Sequence, residues 1–435
     1  MKVVVVGGGG RENAIALSAV SSNNSVYSIS HNNNPGLIGI SKKHYKINEN
    51  DKEAVLNVAK KIYPDLVLIG PEDPLSNGVS DILISQKFNV FAPSSKAAKL
   101  ETSKSFLREF MKYHKIDGNV ESYSFTNFDD LKKLVLNLDY EFVLKPDGLT
   151  GGKGVLVQGF HFNSKEDGLS IARKLFENGV NKLLVERKLI GEEFSLQALV
   201  YNDKLIFLPI VQDYKRAGEN DTGPNTGGMG SISFSESGLP FIPENHVEKA
   251  KAIMRKLVEL MHNEGTPYFG PIYGQFMSTK DGPKLIEVNA RFGDPEAINV
   301  LDLMDDSIAD VAIKLMEGGL PTLNIKNQIN VVRYIVPIGY GTDPMPSKLK
   351  VDEYYLRKKG LKILYASVDK KGDYLRQTRS RSLALLARGN SLSEIIPKFE
   401  GIEKGISGKY YYRKDIGTFE SIEKKTSFMN SLLKN

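Results

Sequence analysis

Two rhythms of apolar and polar positions alternate along this chain. "KVVVV" (residues 2–6) is a continuous apolar run of strand length, as expected for a strand covered on both faces. A glycine turn follows it, and then "RENAIALSAV", which reads as a helix. "VYSIS", "DLVLIG" and "FNVFAP" are further short strand candidates, and stretches such as "DKEAVLNVAKKIY" carry a helical pattern between them. Strands alternating with helices predict a doubly wound parallel sheet over residues 1 to about 100.

The pattern then changes. "TSKSFLREFMKYH" reads as a helix with Thr102 or Ser103 at its N-cap. "EFVLKP", "GVLVQG" and "KLLVERKL" are strands, with a helix in "SKEDGLSIARKLFEN" between the last two. "FSLQALVYNDKLIFLPIV" predicts an antiparallel pair turning at Asn202-Asp203, and "YGQFMSTKDGPKLIEVNARF" a hairpin around Asp281-Gly282. "HVEKAKAIMRKLVELMHNEG" is an amphipathic helix. Beyond about residue 325, "INVVRYIVP", "KILYASV" and "SLALLARG" suggest a smaller α+β unit. The expectation is therefore an α/β and α+β multidomain chain, divided into 1–101, 102–325 with a lid at about 120–190, and 326–435.

Composition narrows the function classes. A chain of 435 residues, 41% hydrophobic and 25% charged, is ordinary for a globular protein of several compact units. No apolar run approaches the ~20 residues of a membrane helix. Cysteine is absent, which removes disulfides, thiolate nucleophiles and cysteine-zinc sites and fits a cytoplasmic enzyme. The net charge of +6 is mild and carries no clustered basic stripe, so it suits anionic small molecules better than nucleic acid.

Two glycine loops carry the first chemical signals. In "GGGGRE" the third position of a dinucleotide fingerprint falls on Glu12 or Asn13, and no acidic residue follows the second strand, so the nicotinamide reading fails. Gly9 and Gly10 still open a helix whose amides suit a phosphate, with Arg11 adding a cation; a plain tight turn is the alternative. "KPDGLTGGKG" fails as a P-loop, because Asp147 stands where glycine is needed and Gly154 follows Lys153. It reads instead as a glycine flap over a triphosphate, with Lys153 in the flap and Lys145 on the preceding strand; the alternative is a glycine-rich hairpin.

Downstream carboxylates extend this reading. Glu186 and Glu193 bracket a hinge whose backbone can read an adenine edge, with Glu193 placed for ribose hydroxyls. In "LIEVNARFGDPE", Glu287 and Asn289 share a strand face, because side chains alternate. Such hard oxygen ligands suit Mg²⁺ bridging phosphates, and Gln275 on the partner strand can reach the same ion. An exposed strand face is the alternative.

This ordered set resembles the ATP-grasp ligases. "GPEDPLSNGVSD", "KLETSKSF", "KPDGLTGGKGV", "LIGEEFS", "QDYKR", "GPNTGGMG", "IEVNARFGDPE" and "YYYRKDIG" narrow the resemblance to the phosphoribosylamine–glycine ligase (glycinamide ribonucleotide synthetase) family, from the first strand nearly to the C-terminus. The resemblance implies ATP and Mg²⁺ or Mn²⁺ as cofactors, and glycine and 5-phosphoribosylamine as substrates. It implies glycinamide ribonucleotide, ADP and phosphate as products through a glycyl phosphate, in purine biosynthesis. No nucleic acid or membrane is implied. The resemblance also leaves room for transient contact with the enzyme that makes phosphoribosylamine. The nearest rival is another ATP-grasp carboxylate–amine ligase, and the rival of a different class a nucleotide-binding regulator without catalysis.

Site roles follow from the same resemblance. Lys104, Lys145, Gly151, Gly152 and Lys153 are expected at the ATP phosphates, Glu186 and Leu189 at adenine, Glu193 at ribose. Glu287, Asn289 and, more weakly, Gln275 are expected at metal. Arg291, Lys215 and Asp213 are the catalytic candidates. Asp213 is matched to the glycine ammonium and Lys215 or Arg216 to its carboxylate. Arg291 is matched to the transferring phosphate, its alternative being a salt bridge to Asp294 or Glu296. Gly227, Gly228 and Met229 form a turn near the sugar phosphate, although Met229 could be core. Asp294 is a further substrate contact. Gly9, Gly10, Arg11, Glu12, Pro71 and Glu72 lie at the carboxyl edge of the first sheet, where phosphoribosylamine is expected. Three positions depart from the family pattern: Asn13 and Tyr214 stand where histidine is common, and Gln275 where many members are apolar.

Overall fold

The computed structural model describes residues 1–20, 23–149, 154–235 and 238–434. Its first sheet has five parallel strands in the order Lys43–Lys46, Ser25–Ser30, Lys2–Val6, Leu66–Ile69, Val90–Phe91. The central strand, Val3 to Val6, is fully buried, as its unbroken apolar run requires. Helices Gly10–Ala19 and Lys52–Ile62 cover its two faces, the second capped by Asp51 accepting from the amides of Glu53 and Ala54.

The middle of the chain builds two antiparallel sheets. One joins Ser122–Phe125, Leu183–Arg187, Phe142–Pro146 and Leu156–Val157, with helices Phe128–Asn137 and Lys165–Glu177 packed on a small core of their own. The other joins Lys204–Phe207, Glu192–Asn202, Tyr268–Thr279 and Gly282–Asn289. The first of its hairpins turns where expected, with Asn202 at φ 61°. The second turns at Lys280-Asp281, one residue earlier than expected, because Gly282 already pairs with Thr279. Ser103 is the N-cap of helix Lys104–Tyr113 and accepts from the amide of Phe106 at 3.2 Å.

The C-terminal sheet runs Gln212–Asp213, Gly230–Ser233, Ile329–Ile335, Leu383–Gly389, Leu361–Tyr365. Two of its strands thus come from the middle of the chain. A four-stranded sheet and helix Phe419–Lys434 complete this unit. Among the described residues no helix is long and apolar enough to cross a membrane.

Candidate active site

A cleft of about 790 Å³ opens where these sheets meet, and residues from every part of the chain line it. Arg11 and Glu72 come from the first turns of helices that follow strands of the first sheet, Lys145 and Glu186 from the antiparallel sheet of Phe142–Pro146, Glu287 and Asn289 from the long hairpin, and Arg381 and Lys425 from the C-terminal unit.

Lys145 is the penultimate residue of strand Phe142–Pro146, and Glu186 lies on the antiparallel neighbour. Lys145 Nζ is 2.7 Å from Glu186 Oε2, and Arg108 Nε is 2.7 Å from Oε1. Arg108 also donates to the carbonyls of Leu285 (2.7 Å) and Ile286 (2.5 Å), so one guanidinium ties the strand bearing Glu186 to the long hairpin. Burial opposes the charge on Glu186, but Arg108 and Lys145 outweigh it and hold its pKa at about 2. Both Glu186 oxygens are therefore engaged by cations. Leu189 lines the cleft just beyond.

Lys104 Nζ donates to the carbonyls of Pro146 (3.1 Å) and Gly148 (2.6 Å). Burial lowers its pKa, and nearby Glu287 works against that. Asp147 accepts from the Ser103 hydroxyl (3.2 Å) and from the Ser105 hydroxyl (2.5 Å) and amide (3.2 Å), fastening the end of strand Phe142–Pro146 to the helix start. Gly151, Gly152 and Lys153 lie outside the described residues.

Glu287 and Asn289 both line the cleft, and neither side chain has a hydrogen-bond or ion-pair partner among the described residues. Burial opposes ionisation of Glu287, yet Lys215, Lys145 and Lys104 together hold its pKa below the usual carboxylate range. An ionised carboxylate and an amide oxygen left free side by side fit Mg²⁺, which keeps its other positions for phosphate and water. No group of three or more His, Cys, Asp or Glu side chains suited to a metal occurs among the described residues, so this pair needs ligand oxygens from elsewhere. Gln275 is directly opposite Glu287, but its Nε2 donates to Glu193 at 2.6 Å and its Oε1 accepts from the Tyr273 hydroxyl. Glu193 also receives Lys215 Nζ at 2.8 Å.

Asp213 brings an unpartnered, buried Oδ1 to the cleft. Burial and then Glu296 push its pKa well up, against the pull of Lys215 and Arg381. Gly228 has φ +101°, and a Cβ there would stand 2.6 Å from Pro295 Cδ and 2.7 Å from Asp213 Oδ1, so only glycine fits this turn. Gly227 lines the cleft, whereas Met229 is fully buried. Met229 donates its amide to Tyr214 O (2.7 Å) and accepts from the Tyr334 amide (2.9 Å), and its side chain lies in the core. Arg216 reaches the cleft with its guanidinium 4.8 Å from the Phe160 ring. Asp294 accepts from the Tyr334 hydroxyl (2.6 Å) and pairs with Arg381 (2.9 Å).

Arg291 pairs with neither Asp294 nor Glu296, its expected alternatives. Its Nε is 3.1 Å from Glu72 and its Nη2 3.3 Å from Glu101. Arg291, and less strongly Arg11, hold the Glu72 pKa at about 2 against burial. Burial raises Glu101 to about 7, although Arg291 opposes this. Arg11 Nη1 donates to Phe292 O (3.1 Å), and its Nε to Glu12 (2.6 Å). Glu12 Oε2 accepts from the Gly9 amide at 2.6 Å. The anion position expected at the first glycine loop is therefore filled by the chain's own carboxylate. Arg11 and Glu72 line the cleft, and Gly9, Gly10, Glu12 and Pro71 do not.

Two of the sequence departures face elsewhere. Asn13 accepts from the Tyr365 amide at 2.8 Å. Tyr214 is buried with Arg413 and Lys425 over its ring at 5.1 and 5.4 Å. Both side chains pack on the C-terminal unit instead of contacting the cleft. Sequence reasoning passed over Arg108, Glu101, Tyr273, Glu296, Arg381 and Lys425. Arg108 carried a usable signal: it is one helical turn after Lys104, on the same face.

Comparison with known proteins adds an independent line. Residues 1–101 match the family model for phosphoribosylglycinamide synthetase, N domain, and residues 102–297 the model for its ATP-grasp (A) domain. The chain is 41% identical over 433 residues to a phosphoribosylamine–glycine ligase of Pyrococcus horikoshii, covering 99% of this chain and 98% of that one. A crystal structure of phosphoribosylamine–glycine ligase from Thermotoga maritima superposes with TM-score 0.82 at 27% identity, over 95% of this chain and all of that one. The biotin carboxylase domain of Hydrogenobacter thermophilus 2-oxoglutarate carboxylase, solved with MgADP, ADP and bicarbonate, shares the fold at TM-score 0.72 and 14% identity, over 99% and 93%.

Proposed function

The chain belongs to the phosphoribosylglycinamide synthetase family, and from that membership we propose how its cleft divides the work. The reaction is the ATP-dependent ligation of glycine to 5-phosphoribosylamine in purine synthesis, giving glycinamide ribonucleotide, ADP and phosphate. The observation that carries the assignment is the pair Glu287 and Asn289, free of internal partners beside Lys104, Lys145 and Lys215.

In this reading ATP lies with its phosphates toward Lys104 and Lys145, under the flap of Gly151, Gly152 and Lys153. Its adenine lies near Glu186 and Leu189 and its ribose near Glu193. Mg²⁺, or Mn²⁺, held by Glu287 and Asn289 would neutralise charge on the phosphate oxygens. Gln275 is the weaker third candidate, since Glu193 and Tyr273 already engage its amide.

A carboxylate oxygen of glycine attacks the γ-phosphorus, the bond to the β-phosphate oxygen breaks, and ADP leaves. The amine nitrogen of phosphoribosylamine then attacks the acyl carbon of glycyl phosphate. Inorganic phosphate leaves with the carbon–oxygen bond pair, and the amine loses a proton. Arg291 steadies the transferring phosphate. Asp213 takes the glycine ammonium: an incoming cation supplies the counter-charge its buried Oδ1 lacks. Lys215 and Arg216 take the glycine carboxylate. Arg11, Glu72, Gly227, Gly228 and Asp294 frame the phosphoribosylamine end. The division at residues 101 and 325, a cytoplasmic setting, and handover of the unstable amine by the enzyme that makes it belong to the same proposal.

The test is ADP release by the purified protein with ATP, Mg²⁺, glycine and phosphoribosylamine generated in place from ribose 5-phosphate and ammonia. Release that needs both substrates, with the product identified by mass, is expected. Release indifferent to glycine would overturn the assignment.

A further inference from the structure

The C-terminal unit sends one cation into the centre of the cleft. Arg381 sits between strands Tyr374–Gln377 and Leu383–Gly389, and its side chain is 13% exposed. Its Nη1 donates to three carbonyls: Gly227, Gly228 (3.3 Å) and Asp294 (2.7 Å). Its Nη2 is 2.9 Å from Asp294 Oδ2, and the guanidinium lies 4.5 Å from the Tyr334 ring centre. The same Tyr334 donates to the other oxygen of Asp294. Two loops of the middle segment, around Gly228 and Asp294, are thus gathered onto one planar cation.

Gly228 connects this cation to Asp213. A Cβ on Gly228 would stand 2.7 Å from Asp213 Oδ1 and 3.4 Å from Arg381 Nη1. The unpartnered carboxylate oxygen and the guanidinium therefore flank the same α-carbon. The turn could not relax without closing on Asp213, and Arg381 holds it by two main-chain oxygens while a third, that of Asp294, ties the neighbouring loop to the same cation. Lysine, with a single ammonium centre and no planar fork, cannot reproduce that set.

We infer that Arg381 is a positioning residue for the amino-acid subsite: it fixes the Gly227–Gly228 turn so that the buried Asp213 Oδ1 is left without an internal partner, for the ammonium of glycine. This rests on the reading of Asp213 given above. Docking of the C-terminal unit then sets the affinity for the amino-acid substrate and leaves nucleotide affinity alone. Lys104 and Lys145, the proposed phosphate contacts, lie on other elements and have no hydrogen bond or ion pair to Arg381.

The experiment measures KM for glycine and for ATP in the full-length protein carrying Arg381→Lys or Arg381→Ala, with Asp213→Asn in parallel. KM for glycine is expected to rise at least tenfold in both Arg381 variants, with KM for ATP within twofold. Added guanidinium ion should recover part of the loss in Arg381→Ala. A structural role alone would move both KM values together, or lower the melting temperature without rescue, and either result overturns the inference. If Arg381→Ala does not fold, Arg381→Lys alone decides the KM split. If Asp213→Asn leaves the glycine KM unchanged, the assignment of Asp213 fails. If Asp213→Asn raises it and the Arg381 variants do not, only the role of Arg381 fails.

Discussion

Lys145 and Glu186 form a buried ion pair across two neighbouring antiparallel strands, 2.7 Å apart and each 6% exposed or less. Arg108 completes the group from the helix beneath. Replacing Glu186 by Gln leaves two buried cations facing a neutral amide. A loss of about 3 kcal/mol of stability is expected at pH 7. The folded pKa of about 2 lies below the unfolded value of about 4.5. The contribution is therefore fully present above pH 4.5 and fades as pH falls toward 2. Urea unfolding of both proteins between pH 7 and pH 3 should show the gap narrowing on acidification.

Glu287→Ala is expected to cost at least a hundredfold in turnover with the fold intact, since the carboxylate supports no internal hydrogen bond. Circular dichroism should be unchanged. Normal turnover at ordinary Mg²⁺ would remove Glu287 from the metal site.

Lys145→Ala should weaken ATP more than glycine. A tenfold or greater rise in the nucleotide Kd is expected by titration calorimetry. Unchanged ATP affinity would reject the phosphate role.

Glu101 predicts a pH effect of opposite sign. Its folded pKa of about 7 exceeds the ordinary carboxylate value, so its contribution is complete below about pH 4.5 and is lost as pH rises through 7. Glu101→Gln keeps an acceptor for the Ala290 amide. Relative to the parent, the variant should gain on the order of 2 kcal/mol in unfolding free energy between pH 5 and pH 8. A constant difference across that range would show that Arg291 keeps Glu101 ionised throughout.

Gly228→Ala should be costly twice over. Its φ of +101° is strained for any L side chain, and the added carbon meets Pro295 and Asp213. A loss of at least about 2 kcal/mol in unfolding free energy, together with a raised KM for glycine, is expected.

Much of this architecture was legible from pattern alone, and the exceptions have physical causes. The run Val3 to Val6 announced a covered strand because a parallel sheet buries both faces. Strand Lys43–Lys46, "KHYK", went unread: it is the sheet's edge, half exposed, and edge strands carry lysines in place of an apolar rhythm. Glu287 and Asn289 were legible because alternation on a strand fixes a shared face. The partners of Arg291 were not, because Glu72 lies 219 positions away and no periodicity encodes a contact between separate sheets. Met229 sat in a motif that suggested a ligand contact, yet its side chain fills the core. Glu12 shows the same limit at the first loop, where the motif could not disclose that the chain supplies its own anion.

The shared construction of the cleft has a consequence for the order of events during synthesis. Arg11 leaves the ribosome 414 residues before Lys425, yet both line the same cleft. The sheet bearing Lys145 has a core of its own, as does one face of the first sheet, whereas the other face of the first sheet packs into the core shared with the rest of the chain. The binding walls are completed last, because Arg381 and the helix bearing Lys425 emerge late. On the division of the cleft proposed above, protection against degradation by bound glycine therefore reaches only chains that have been translated past Arg381, whereas the proposed nucleotide contacts are all made earlier in the chain.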